Sequence, residues 1–154
     1  MIEPNTIYII NKSNFANQAS VLVKVCMTLR FAKREPIDPN IFIDYVTKAL
    51  ATNRCVIYVS FNEKVELIAC AVILLNENPV KGKIVFIEWA WTNAKFTDIG
   101  KKMFEKIEEF ARAWGAKKIA ASMTRGFKAV NKIYGLKEEY RVMSKDIKEV
   151  VKND

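Results

Sequence analysis

The alternation of apolar and polar residues along this chain predicts ten secondary-structure elements. Runs of β-branched and aromatic residues favour extended backbone. They predict six strands, over residues 6–10, 55–61, 67–75, 84–91, 117–123 and 140–145. Apolar residues at helical spacing predict four helices. The first begins at Ser13 or Asn14 and ends before Pro36, and the others cover residues 39–51, 97–114 and 127–134. The predicted order is β-α-α-β-β-β-α-β-α-β.

Residues with special backbone preferences mark the ends of two of these helices. Asp38 followed by Pro39 is typical of an N-cap with proline at the first helical position. Thr97 or Asp98 is expected to cap the helix 97–114. Gly115 is expected to end that helix.

The order of the elements predicts the fold class. After Thr92 the apolar period changes from two to about 3.6 residues, so a strand gives way to a long helix. A strand, a helix and a second strand imply a right-handed parallel crossover. We expect one α/β (α+β) domain over residues 1–154, with a mixed, mostly antiparallel central sheet. The core is expected to contain Leu67, Ile68, Val72, Phe104, Ile107 and Phe110.

Composition excludes several kinds of chemistry. The 154 residues are 51% hydrophobic and include no histidine, which removes Ser-His-Asp catalysis and His-ligated metal sites. Cys26, Cys55 and Cys70 are widely spaced, so we expect reduced core thiols and a cytoplasmic location. The longest apolar run, residues 67–75, is far shorter than the roughly 20 residues of a membrane span.

The net charge favours anionic partners. The chain carries 25 basic and 17 acidic residues, a formal charge of +8. Such a field suits a phosphorylated cofactor, a nucleic acid or an acidic protein. Charge alone is the only support for a nucleic-acid-binding module.

The start of the helix 97–114 is a candidate anion site. A strand ends, a short loop follows, and Gly100 lies in the first helical turn. Free backbone N–H groups and the helix dipole attract anions at such a terminus. Lys95, Lys101 and Lys102 add positive charge, so a pyrophosphate would suit this place.

At these residues the sequence resembles the GCN5-related N-acetyltransferase (GNAT) family. Residues 95–100, KFTDIG, are similar to the family loop Arg/Gln-x-x-Gly-x-Gly/Ala between a strand and a long helix. The runs ARAWGAKKI (111–119) and YGLKEEYRVMSKDI (134–147) resemble the end of the family's central helix and its C-terminal part. The resemblance implies a GNAT-like acyl-CoA acyltransferase fold. It also implies acetyl-CoA as co-substrate, no metal, and acetyl transfer to a primary amine by direct attack.

The resemblance also implies roles for individual residues. Backbone groups of the loop would hold the pyrophosphate, and the end of the strand would pair with pantetheine. The cofactor-binding residues implied are Ala90, Trp91, Thr92, Lys95, Thr97, Asp98, Ile99, Gly100 and Lys101. Glu88 takes the place of the general base, acting through water. The family's general acid is a tyrosine, whose place is taken here by Asn131, with Tyr134 nearly one helical turn away.

Departures from the family pattern leave a second interpretation open. Asp98 replaces the first loop glycine and brings a carboxylate to the expected pyrophosphate site. Together with Asn131, it favours a catalytically degenerate GNAT fold with a structural or interaction role in a larger assembly. Trp89 and Trp91 are expected in the core or in the wall of a pantetheine channel. The family's last hairpin is short here, which leaves homo-oligomerisation through a partner's strand open.

Overall fold

A computed structural model describes residues 2–33 and 36–121 of the chain. Its strands are β1 (Ile7–Ile10), β2 (Cys55–Phe61), β3 (Leu67–Asn78), β4 (Gly82–Thr92) and β5 (Lys118–Ala121). Its α-helices are α1 (Ala19–Lys33), α2 (Pro39–Ala51) and α3 (Thr97–Trp114). The predicted helix 127–134 and strand 140–145, with Asn131 and Tyr134, lie outside the described residues.

The described strands form one mixed sheet in sequence order, β1-β2-β3-β4-β5. The first four pair antiparallel, and β4 pairs parallel with β5 through the α3 crossover. The mixed, mostly antiparallel α/β fold predicted from the element order is therefore confirmed, including the parallel β-α-β unit. Within the described part of the chain, no helix is long and apolar enough to cross a bilayer.

The sheet separates two hydrophobic clusters because its central strands are apolar on both faces. Cys55, Ile57 and Val59 of β2 pack on the face covered by α1 and α2. Val56 and Tyr58, the alternate residues, pack on the face covered by α3. This alternation follows from the two-residue period of a strand. Strand β2 is therefore buried on both faces.

The buried stripe of α3 is narrower than the sequence predicted. Its buried residues are Ile99, Gly100, Met103, Ile107 and Ala111. Of the predicted core, Ile68, Val72 and Ile107 are buried, whereas Leu67, Phe104 and Phe110 are partly buried. Phe104 and Phe110 lie one position outside the i, i+4 row that faces the sheet, so part of each ring stays accessible.

Asparagine side chains account for two differences from the predicted helix starts. The Asn14 side chain accepts a hydrogen bond from Asn11 N–H and donates one to the Ile9 carbonyl, which closes the turn after β1. Helix α1 therefore begins only at Ala19. Asn93 Oδ1 accepts from Lys95 N–H and caps a short 3-10 turn. That turn precedes α3, whose N-cap is then Phe96 rather than Thr97 or Asp98.

The β3–β4 hairpin is also tighter than expected. Asn78 Oδ1 accepts from the Val80 and Lys81 N–H groups, and Gly82 has φ +75°. The turn is thereby confined to a few residues, and both strands extend further than predicted. The N-cap of α2 is confirmed, since Asp38 Oδ1 accepts from Asn40 and Ile41 N–H. Gly115 ends α3 with φ +82°, as predicted.

A glycine brings the first turn of α3 against the end of β4. A Cβ placed on Gly100 would lie 2.7 Å from Thr92 Oγ1 and 3.1 Å from Thr92 Cγ2. Both atoms belong to a stiff β-branched side chain, which cannot move away without leaving its rotamer. Because Gly100 has no Cβ, the first turn of α3 can lie directly against Thr92 at the end of β4.

Gly100→Ala should lower the free energy of unfolding by about 1–3 kcal/mol, as overpacking does. The clash outweighs the gain of about 1 kcal/mol that alanine brings inside a helix. In a Thr92→Ala background the same change should be neutral or stabilising. A double-mutant cycle in urea measures this coupling. Equal effects of Gly100→Ala in both backgrounds would show that Thr92 does not limit the approach.

Candidate functional site

A β-bulge in the middle of β4 places Glu88. The register with β3 passes from Ile73–Ile87 to Val72–Trp89, so Glu88 is the extra residue. A bulge bends its strand and reorients the side chains that follow, and bulges are common next to active sites. Glu88 is half-buried in an otherwise apolar strand.

The bulge reverses which side chains of β4 face each layer. Before it, Val85 packs in the cluster beneath α3. After it, Trp89 and Trp91 pack against the cluster beneath α1 and α2. The Trp89 ring lies 5.2 Å from Phe42 and 6.1 Å from Tyr45, centroid to centroid. Both indoles therefore pack in the core beneath α1 and α2, which is one of the two places expected for them.

Tyr45 of α2 packs against Trp89, the residue after Glu88 in β4. Burial and then the Glu88 carboxylate raise the pKa of the Tyr45 hydroxyl. The hydroxyl stays neutral near pH 7 and can donate a hydrogen bond. The sequence analysis missed Tyr45, because its proximity to β4 depends on how α2 packs across the sheet.

The first turn of α3 presents the predicted loop residues in two groups. Thr97, Asp98 and Lys101 are exposed, as are Lys95 and Lys102. The N-cap, Phe96, has no polar side-chain atom with which to bond the first-turn N–H groups. Those groups carry the positive end of the helix dipole, and the exposed Asp98 carboxylate opposes part of that field.

Most of the other loop and strand residues named from the sequence pack in the structure, and Ala90 is exposed. Ile99 and Gly100 are buried, Ile99 in the cluster beneath α3. Thr92 lies against Gly100, and Ala90 is exposed opposite Ala71 of β3.

The end of β4 joins the two parts of the candidate site. Thr92, which contacts the first turn of α3, lies four residues after Glu88, about 13 Å along an extended strand. Ala90, Trp91 and Thr92 follow the last described pair between β4 and β5, which is Ile87 with Ala121. The structure therefore brings the predicted base and the predicted anion site to opposite ends of one short strand segment.

The cysteines take no part in this site. All three are buried, and none is in a disulfide. Burial raises the pKa of Cys55 to about 12, and burial also raises the pKa of Cys26. These two thiols stay protonated at neutral pH and are poor nucleophiles. The expectation of unreactive core thiols is confirmed for them.

Comparison with known proteins identifies the fold. No protein-family model and no curated protein matches the sequence. A predicted acetyltransferase from Clostridium acetobutylicum, solved with acetyl-CoA, has a TM-score of 0.72 and 18% identity, covering 92% of this chain and 95% of its own. An aminoglycoside 6'-N-acetyltransferase from Acinetobacter baumannii has a TM-score of 0.68 and 14% identity, covering 93% and 97%.

A Trypanosoma brucei acetyltransferase is similar to the same degree, with a TM-score of 0.66 and 15% identity over 92% of this chain and 99% of its own. At such identities the likeness establishes the fold alone. The chain has the fold of these acetyltransferases, and the GNAT-like fold implied by the sequence resemblance is confirmed.

Proposed function

We propose that the chain is an N-acetyltransferase that moves the acetyl group of acetyl-CoA to a primary amine. One observation carries the proposal. The carboxylate at the β4 bulge lies four residues before Thr92, which contacts the first turn of a helix whose start is rimmed by lysines, on a fold shared with acetyltransferases. A base at one end and an anion site at the other suit a co-substrate with a reactive thioester and a distant pyrophosphate.

The residues at the start of α3 fit a pyrophosphate, with one opposing charge. Backbone N–H groups of residues 97–101 are the proposed hydrogen-bond donors, and Lys95, Lys101 and Lys102 supply the positive field. Gly100 supports the site indirectly, because it lets the first turn close on Thr92. Asp98 weakens the field and should limit affinity.

The proposed reaction needs little from the protein besides positioning and proton transfer. The acceptor enters as an ammonium and gives a proton to Glu88 through a water molecule. Its nitrogen then forms a bond to the acyl carbon of the thioester while the C–S bond breaks, and a second proton goes to the sulfur. The products are the acetamide and CoA thiol. Asn131 and Tyr134 remain the predicted sources of that second proton.

Asp98 also supports a second candidate, a GNAT fold without catalysis that acts as a structural or interaction protein. A carboxylate in the first turn stabilises a helix that binds no phosphate, because it complements the dipole. The two candidates differ in whether acetyl-CoA is consumed.

Thiol release decides between them. The purified chain is incubated with acetyl-CoA and a panel of primary amines, and free CoA is followed with a thiol reagent while mass spectrometry detects the acetylated amine. The proposal requires equal amounts of thiol and acetamide, both dependent on the protein. If no amine in the panel is acetylated above the background rate, the structural role becomes the better account.

Asp98→Asn and Asp98→Gly should each tighten acetyl-CoA binding by about two- to fivefold, the size expected for one exposed like charge. Asparagine keeps the side-chain volume and tests the charge alone. Glycine also removes the Cβ. Both changes should slightly lower the melting temperature of the ligand-free protein, because a favourable helix-dipole contact is lost. Weaker or unchanged binding in both variants would show that Asp98 does not face the bound phosphates.

A further inference from the structure

A recess lies beside α2 and is lined by Tyr45, whose ring packs against Trp89, the residue after Glu88 in β4. It has a volume of about 440 Å³ and lies between α2 and the adjoining ends of β2 and β3. Its apolar lining includes Ile41, Tyr45 and Leu74. Ile41 is 70% exposed and Tyr45 is 42% exposed, so these two side chains present apolar surface to whatever enters.

Tyr45 connects this recess to Glu88. Its ring lines the recess and also meets the Trp89 ring edge-on at 6.1 Å. Burial and then the negative charge of the Glu88 carboxylate raise the pKa of the Tyr45 hydroxyl. The exposed face of Tyr45 can attract a cation by cation–π interaction, and the carboxylate adds the opposite charge. A cationic group entering past Tyr45 would therefore be drawn toward Glu88.

The rim of the recess limits the charge of the entering molecule. Asp44 and Lys48 form an exposed ion pair of 2.9 Å and largely neutralise each other. Arg54 is exposed on the same rim and adds a positive charge. One ammonium can be matched by Glu88, whereas further ammonium groups of the same molecule would lie near Arg54 and be repelled.

We propose that this recess binds the acceptor, and that the acceptor is a primary monoamine with an apolar aliphatic or aromatic body rather than a polyamine. The ammonium would point past Tyr45 to Glu88, and the body would pack on Ile41, Tyr45 and Leu74. This inference rests on the proposed acetyl transfer for its biological meaning. The binding site itself can be measured without that reaction.

The experiment uses 2-phenylethylamine as the probe, with and without CoA. Two-dimensional NMR of the indole N–H groups gives an internal control. Trp89 packs against Tyr45 of the proposed site. Trp114, the last residue of α3, packs on the opposite face of the sheet. We expect a saturable shift of the Trp89 signal and no shift of the Trp114 signal. 2-Phenylethanol, which lacks the cation, and spermidine, which lacks the apolar body, should each bind at least about tenfold more weakly.

Two pairs of variants separate the aromatic ring from the charge. Tyr45→Ala should weaken phenylethylamine binding about tenfold, whereas Tyr45→Phe keeps the ring and should stay within about twofold. Ile41→Lys should weaken binding about fivefold more than Ile41→Glu does, because both variants lose the isoleucine side chain and only the lysine repels the ammonium. Phe31→Ala, which removes an aromatic ring 84% exposed on α1, is the control for loss of surface apolar area.

Failure of this inference can be told apart from failure of the proposed function. If the Tyr45 and Ile41 variants change phenylethylamine binding as expected but no acetyl transfer is detected, the recess is a binding site and the proposed reaction is wrong. If acetyl transfer occurs but prefers spermidine, or is unchanged by Tyr45→Ala and Ile41→Lys, the proposed reaction is supported and the recess is not the acceptor site. No shift of Trp89 with phenylethylamine, with or without CoA, would also overturn the inference.

Discussion

Glu88→Gln should lower kcat by about 100- to 10,000-fold, the usual contribution of a positioned general base. The amide has almost the same shape and can still make hydrogen bonds, so the bulge in β4 should be kept. It cannot accept the proton of the ammonium at physiological pH. Affinity for acetyl-CoA should change little, because the proposed pyrophosphate site is about 13 Å away along the strand.

The pH profile separates a base from a structural carboxylate. The wild type should acetylate the amine even at pH values where the amine is an ammonium, because Glu88 takes up its proton, whereas the slow residual rate of Glu88→Gln should rise with pH in proportion to the free amine. Glu63→Gln, in the exposed turn between β2 and β3, is the matched control and should behave as wild type. A Glu88→Gln enzyme with wild-type kcat and pH profile would remove Glu88 from the mechanism.

Ile107→Ala should lower the free energy of unfolding by about 2–5 kcal/mol. Ile107 is 2% exposed in the cluster between α3 and the sheet, so truncation loses apolar burial and leaves a cavity. Lys106→Ala on the exposed side of the same helix removes only a surface ion pair, 3.6 Å from Glu109, and should cost less than about 1 kcal/mol. Urea titration of both variants measures the difference. Equal, small losses would mean that α3 presents another face to the sheet.

Sequence pattern predicted this fold well where local chemistry and tertiary packing agree. Asp38 and Pro39 define the start of α2, and Gly115 defines the end of α3, because each residue type satisfies a backbone requirement almost by itself. The parallel pairing of β4 with β5 followed from the change of period at Thr92 and the handedness of crossovers.

The features that shape the candidate site could not be predicted from the spacing of apolar residues alone. A bulge keeps both flanking strand segments apolar, so its only trace in the sequence is the isolated acid Glu88. The consequence, that Trp89 and Trp91 face α1 and α2, depends on the register with β3. Tyr45 comes close to Glu88 only through the packing of α2 across the sheet. Gly100 could have served a ligand or a close packing contact, and its closeness to Thr92 appears only in three dimensions.

Titration calorimetry with acetyl-CoA tests the central claim, that the start of α3 is a co-substrate site, most directly. The wild type should bind one acetyl-CoA per chain, with affinity that falls as salt is added. The double charge reversal Lys101→Glu and Lys102→Glu should weaken binding at least about tenfold, because four units of charge change beside the phosphates. The same reversal at Lys64 and Lys81, on exposed turns away from α3, should leave binding nearly unchanged. The account would be contradicted if no heat is seen at millimolar acetyl-CoA, or if both pairs weaken binding equally.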